Sequence, residues 1–411
     1  MRAVVIGTGP AGITAAETLR REDPTGSVVA LSTDPHAPYS PASMADHFLT
    51  GRDETLYWKG EDVAQRLGIE ERRETVVVGV DVDNDEVVLR DGNRIPYEGL
   101  VIASGSRLHA PLEGADLPGV LDFKSLRMAE ELVGRVHRGE AHTALIVGNG
   151  FIGVELSLLL ADLGVDVTII GRRPWVMPRV LEPAISALAE EGLINRGVKL
   201  RLGVEASAFV GAPSVNAVRL ADGQLLDADL IIAATGVKPH VEYLIDSPIT
   251  TDWGVWVDDR LSTSVPGIVA AGDVAETADW LSGKRFVHAI FPNAVTQGRI
   301  AASNLLGADL TYEGAESMNS LKHLGIPIVA MGTTEDPDDV LHWVSESARR
   351  SVYLRNGKII GAQLAGDIRA AGVYRSLMLR RADVTSFGRG LVEPAFDFAS
   401  VYWDALASVS A

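Results

Sequence analysis

The chain has 411 residues, 46% of them hydrophobic, a formal net charge of −18, and 41 glycines but no cysteine. That length exceeds one ordinary core, so two or three domains are expected, and the acidity argues against a nucleic-acid partner, which needs a basic face. Without cysteine the chain has no disulfide, thiolate metal site, cysteine-held iron–sulfur cluster or redox-active thiol.

Met1-Arg2 runs straight into the apolar Ala3-Val4-Val5-Ile6 and a glycine loop, so the start reads as a buried strand and not as a secretion signal. No apolar run reaches the roughly 18 residues of a membrane-spanning helix, and the expected location is the cytoplasm, with no membrane. The loop Gly7-Thr8-Gly9-Pro10-Ala11-Gly12 precedes a helix expected over residues 13–21. In a strand–loop–helix unit of this kind the first glycine allows the turn, the second lets the backbone approach a pyrophosphate, and the third permits close helix–strand packing. The helix N-terminus then offers free N–H groups to the anion. The next strand, 28–31, leads into Ser32-Thr33-Asp34, which puts a carboxylate roughly 20 residues past the last glycine, where it can hold ribose hydroxyls.

Alternating segments at 75–78 and 86–89, with Asp91-Gly92-Asn93 as a turn, predict an antiparallel meander. A second unit follows: Ala144-Leu145-Ile146-Val147, then Gly148-Asn149-Gly150-Phe151-Ile152-Gly153, then a helix expected over 154–163. Its second strand, 167–170, ends in Gly171-Arg172-Arg173, where no carboxylate stands. Two guanidinium groups suit a 2′-phosphate, which favours NADPH over NADH; the other reading makes both arginines solvated surface charges. A near-copy of the meander spans 215–220 with Asp222-Gly223 as its turn, and from about residue 315 the chain changes character, with strands at 351–354 and 358–360 flanking Arg355-Asn356-Gly357.

Four further motifs occur in order. They are Val101-Ile102-Ala103-Ser104-Gly105-Ser106-Arg107, Ile231-Ile232-Ala233-Ala234-Thr235-Gly236-Val237-Lys238-Pro239, Val257-Asp258-Asp259 through Thr263-Ser264-Val265-Pro266-Gly267, and Ala270-Ala271-Gly272-Asp273-Val274. With the two glycine loops they resemble the pyridine nucleotide-disulfide oxidoreductase superfamily. The resemblance implies an α/β fold with two Rossmann-like dinucleotide-binding domains, glutathione reductase-like, plus a smaller α+β C-terminal domain. It implies FAD on residues 1–113 and 242–314, NAD(P)H on 114–241, and the C-terminal domain over 315–411. The FAD-binding residues are then Gly7, Gly9, Pro10, Ala11, Gly12, Asp34, Arg107, Gly272 and Asp273; the nicotinamide nucleotide falls to Gly148, Gly150, Phe151, Ile152, Gly153, Arg172 and Arg173. Asp273 is expected on the ribityl chain or phosphates, a role compatible with its capping a helix at Ala275. A helix opening at Asn293 is expected near the flavin ring.

The missing cysteines remove the disulfide reductases and peroxidases of this superfamily from consideration. Ferredoxin and rubredoxin reductases, flavin modules resembling those of nitrite reductase or phenylglyoxylate dehydrogenase, and simple NAD(P)H oxidases remain. The segments 319–325 and 361–369 resemble the nitrite reductase type. Ferredoxin reductases of the group carry a flavin-side lysine paired with the glutamate matching Glu155, and this chain places Asp46 at the lysine's position, or His47 if the alignment moves by one. Two carboxylates, Asp46 and Glu155, are therefore the candidate catalytic pair, one of them holding a proton at neutral pH; Glu155 reads equally as a first-turn acid on its helix. The expected activity is electron transfer from NAD(P)H through FAD to an external ferredoxin, rubredoxin or partner subunit. A stand-alone oxidase or small-molecule reductase and a non-catalytic flavin-binding sensor are the alternatives, and a homodimer is one option for assembly. Arg349-Arg350 and Arg380-Arg381 are the candidate basic patches for an acidic carrier.

Overall fold

The computed structural model describes residues 1–401. Its chain divides into two compact units. The first comprises Met1–His142, Gly211–Asn216 and Asp229–Glu316. At its centre is a five-stranded, all-parallel sheet in the order Ile268–Ala270, Gly99–Ile102, Arg2–Ile6, Ser27–Leu31, Glu70–Arg72. Val4, Val5, Leu100, Val101, Val29 and Ala270 are all at most 3% exposed, which is why these strands are continuous apolar runs: a parallel sheet is covered on both faces. The expected meander is present as Val77–Asp81, Glu86–Leu89 and Arg94–Pro96, paired antiparallel.

Helix Pro10–Glu22 begins three residues earlier than the sequence pattern suggested, because Pro10 takes the first helical position, where its missing N–H costs nothing. The long helix Phe291–Leu305 lies against it, and Gly298 makes this approach possible: a Cβ there would stand 2.2 Å from the Ala11 carbonyl oxygen.

The second unit comprises Thr143–Val210, Ala217–Ala228 and the chain from Ser317 onward. Strands Thr143–Val147, Asp166–Gly171 and Lys199–Leu202 pair in parallel, with Ile146 opposite Ile169 and Ile169 opposite Leu200. Helix Phe151–Asp162, again three residues longer at its start than expected, follows the second glycine loop, and Ala206–Val210, Ala217–Leu220 and Leu225–Asp227 form the second meander.

The expected C-terminal α+β region is a five-stranded antiparallel sheet, ordered Met318–Leu321, Ile328–Gly332, Lys358–Ala365, Arg349–Arg355, Asp339–Val344, with helix Ala371–Leu379. Its central hairpin turns on Asn356 and Gly357, at φ 51° and 70°, the two left-handed residues that a type I′ turn requires. Side chains of this sheet hold the start of helix Pro183–Asn195: Ser351 and Tyr353 each donate to the Glu182 carboxylate at 2.5 Å, and Gln363 accepts the Glu182 N–H at 2.9 Å. Among the described residues no helix is long and apolar enough to cross a membrane.

Candidate functional site

The two glycine loops solve the same packing problem with nearly the same geometry. Gly7 has φ +99°, and a Cβ on it would lie 2.2 Å from the Ala103 carbonyl oxygen; Gly12 leaves 1.9 Å to the Gly7 carbonyl oxygen. In the second loop Gly148 has φ +131°, and Gly153 leaves 2.1 Å to the Gly148 carbonyl oxygen. Backbone closes Gly7, Gly12 and Gly153 to any side chain, and the left-handed φ of Gly148 disfavours one there. The middle glycines are different. Among the described residues nothing lies within 4 Å of a Cβ built on Gly9 or on Gly150, so the space above them is open.

Gly9 and Gly150 are also the N-cap residues of helices Pro10–Glu22 and Phe151–Asp162, and neither helix start is capped by a side chain. The first N–H groups of each helix therefore face the open side with their partial positive charge. Both cradles fit a dinucleotide pyrophosphate.

At the strand ends the two cradles part company. After Ser27–Leu31, Asp34 is half-buried and already engaged: it accepts from His36 Nδ1 at 2.6 Å and from the Tyr39 hydroxyl at 3.0 Å, and His36 Nε2 reaches Glu130 at 3.0 Å. The Tyr39 oxygen accepts the Leu126 N–H at 2.9 Å, and burial pushes its phenol well above the usual range. After Asp166–Gly171, by contrast, Arg172 and Arg173 are exposed. Asn149 occupies the position beneath them, its side-chain amide donating to the carbonyls of Arg173 and Trp175 at 3.2 and 2.7 Å.

Asp273 does not cap a helix. The residues after it form strand Ala275–Ala278, and its carboxylate instead accepts from the Ser106 hydroxyl at 2.8 Å and pairs with Lys124 at 3.1 Å. The preceding Gly272 donates its N–H to the buried Gln297 side chain at 2.7 Å, which ties this corner to helix Phe291–Leu305. Arg107 pairs with Glu242, both half in solvent.

Glu155 lies in the second turn of its helix, because that helix starts at Phe151; the expected first-turn placement is corrected. Burial pushes its carboxyl up to about 7, against the opposing pull of the Lys322 charge. Asp46 is half-buried in the first turn of the short helix Met44–Thr50, and the neighbouring His47 pairs with Asp53 at 2.9 Å. One expected basic pair is also corrected: Arg350 is 1% exposed, bonded to Asp367 at 2.7 Å and to the Glu393 carbonyl at 2.8 Å, so it braces the C-terminal sheet and offers no surface charge. Arg380 and Arg381 are exposed. No motif marks Lys124, Lys322 or His36: Lys124 and Lys322 act on Asp273 and Glu155 far along the chain, and His36 joins the nearby Asp34 to the distant Glu130.

Residues 1–298 match the family described as pyridine nucleotide-disulphide oxidoreductase. The chain belongs to that family. Like its other members it is an FAD-dependent NAD(P)H oxidoreductase, and FAD and a nicotinamide nucleotide fit its two cradles. A rubredoxin-NAD(+) reductase of Pseudomonas putida is 32% identical over 385 residues, 90% of this chain and 99% of the relative. An NADH oxidase of Methanocaldococcus jannaschii is 27% identical over 90% of this chain and 89% of its own. The crystal structure of a ferredoxin reductase from Rhodopseudomonas palustris superposes with a TM-score of 0.87 at 27% identity, covering 97% of this chain and 99% of that one.

Proposed function

We propose that this family member is an electron-transfer reductase that passes electrons from NAD(P)H through FAD to an external iron–sulfur or rubredoxin-type carrier. The observation that carries the reading is a pair of uncapped glycine cradles in one chain that lacks cysteine: two nucleotides fit, and no thiol of its own can take the electrons onward. FAD, when bound, supplies the hydride-accepting and electron-releasing chemistry.

The residues of the chain bind and orient. In this reading the loop Gly7, Gly9, Pro10, Ala11 and Gly12 cradles the FAD pyrophosphate, with the N–H groups of Ala11 and Gly12 at the helix start turned to it, and Asp34, fixed by His36 and Tyr39, takes the adenosine ribose. Gly272, Asp273 and Arg107 complete that site, with Lys124 holding the Asp273 carboxylate in place. Gly148, Gly150, Phe151, Ile152 and Gly153 receive the nicotinamide nucleotide. Glu155, with a carboxyl near neutrality, holds or releases a proton for the reaction, and Asp46 is the second candidate acid. The domain plan that goes with this reading assigns 1–113 and 242–314 to FAD, 114–241 to the nicotinamide nucleotide, and 315–411 to the C-terminal domain, whose last ten residues, 402–411, lie outside the described ones.

Arg172 and Arg173 support a preference for NADPH. The kcat/KM ratio of NADPH to NADH, compared between the wild type and an Arg172→Ala, Arg173→Ala double variant, checks this; a fall in the ratio is expected, and an unchanged ratio removes the phosphate contact.

The relative named as an NADH oxidase favours a second reading, direct reduction of oxygen. Stopped-flow reoxidation of the reduced enzyme separates the two. Ferredoxin or rubredoxin reoxidising the flavin at least about tenfold faster than air-saturated buffer supports the carrier reading; equal rates with and without carrier support the oxidase.

A further inference from the structure

The strand that ends the second cradle stays attached to its neighbour beyond the last sheet pair. Gly171 stands opposite Leu202, and past that point Val204 N–H donates to the Gly171 carbonyl at 2.9 Å and Gly203 N–H to the Arg173 carbonyl at 3.1 Å. The Glu205 carbonyl then accepts the Ala221 N–H at 2.8 Å, so the Glu205 backbone is anchored on both sides. Its carboxylate stands 3.8 Å from the Arg172 guanidinium, with the two side chains 57% and 70% exposed. A pair so exposed contributes little to stability. Both charges therefore remain available to act on a third charge brought beside them.

We propose that Glu205 is a specificity-determining residue, whose carboxylate competes with a nucleotide 2′-phosphate for Arg172 and so holds down the NADPH preference that the two arginines create. The inference rests on the arginine reading given above. Any phosphate gripped by Arg172 comes within a few ångströms of the Glu205 carboxylate, and like charges at that range repel. An unphosphorylated ribose brings no charge, so NADH does not meet this penalty. The effect is a difference between two substrates and not a general weakening, which is how a built-in repulsive group sets specificity.

The test uses the FAD-loaded holoenzyme as wild type, Glu205→Gln, and Arg172→Ala with Arg173→Ala, each assayed with NADPH and NADH at low and high salt. Glu205→Gln is expected to raise the NADPH to NADH ratio of kcat/KM roughly fivefold, through a lower KM for NADPH with the NADH constants unchanged. The gain should shrink at high salt, because the groups are solvent-exposed. Competitive inhibition by 2′,5′-ADP should tighten in parallel. If the arginine variant lowers the ratio and Glu205→Gln leaves it alone, the Glu205 proposal is overturned and the arginine reading stands. If Glu205→Gln changes both nucleotides equally, the residue is only structural and the proposal is again overturned. If the arginine variant leaves the ratio unchanged, both ideas fall together.

Discussion

The two glycine cradles differ where their following strands end, and agree almost everywhere else. Each has a first glycine at positive φ, a third glycine whose missing Cβ admits the carbonyl of the first, and a middle glycine open to solvent at an uncapped helix start. One strand end carries a carboxylate locked by His36 and Tyr39; the other carries two exposed arginines faced by Glu205. The backbone thus supplies a general means of holding a pyrophosphate, and a few side chains roughly 20 residues downstream decide which ribose goes with it.

That comparison is broken most severely at the third glycines. Gly12→Ala should abolish retention of FAD, and Gly153→Ala should abolish nucleotide-dependent reduction, since each new methyl would sit about 2 Å from a carbonyl oxygen. Absorbance of the flavin and its bleaching by NADH read the two losses separately; a Gly153→Ala enzyme that reduces at wild-type rate would contradict the assignment.

The middle glycines should give a milder and more informative split. Among the described residues no atom obstructs a methyl on Gly9 or Gly150, so neither alanine variant should lower the apo-protein Tm appreciably. The cost should fall on the ligand: Gly9→Ala weakening FAD, and Gly150→Ala raising the KM for the nicotinamide nucleotide by about tenfold while the flavin spectrum stays as it was. Equal effects of both variants on both ligands would erase the distinction between the cradles.

Glu155 offers a smaller, pH-dependent contrast, since the first cradle has no acid at the matching place on its helix: Thr14 stands there. Its carboxyl is held near 7 in the folded chain against an ordinary value of 4.5. Between those values the native state keeps a proton that the unfolded state has lost, so this group's contribution falls as pH rises through the window. Glu155→Gln should therefore flatten the pH dependence of stability, gaining on the order of 2 kcal/mol at about pH 8 and nothing at about pH 4. Denaturant midpoints at the two pH values measure it, and a constant offset between variant and wild type at both would count against the burial argument.

The sequence revealed the parts of this site that are local. Each glycine loop sits between an apolar run and a helix, and Asn356-Gly357 announces its own hairpin, because the residues that demand these conformations are adjacent. Both helices start three residues before their sequence pattern indicates, although Pro10 marks one of the starts. What escaped were long-range pairings. Asp273 reads as a helix cap until Ser106 and Lys124, well over a hundred positions away, are brought to it. Arg350 reads as surface charge until the fold closes over it and Asp367 neutralises it. The strand end at Arg172 was legible, whereas its opposition by Glu205 depends on a chain segment that joins the sheet edge 33 residues later.

The central claim is that one chain binds two adenine dinucleotides so that one reduces the other. Anaerobic titration of the purified, FAD-supplemented protein with NADH and with NADPH tests it most directly. The account predicts one FAD retained per chain and complete loss of its visible absorbance on addition of about one equivalent of a nicotinamide nucleotide. A protein that stays colourless after incubation with FAD, or a bound flavin that neither nucleotide bleaches, would contradict it.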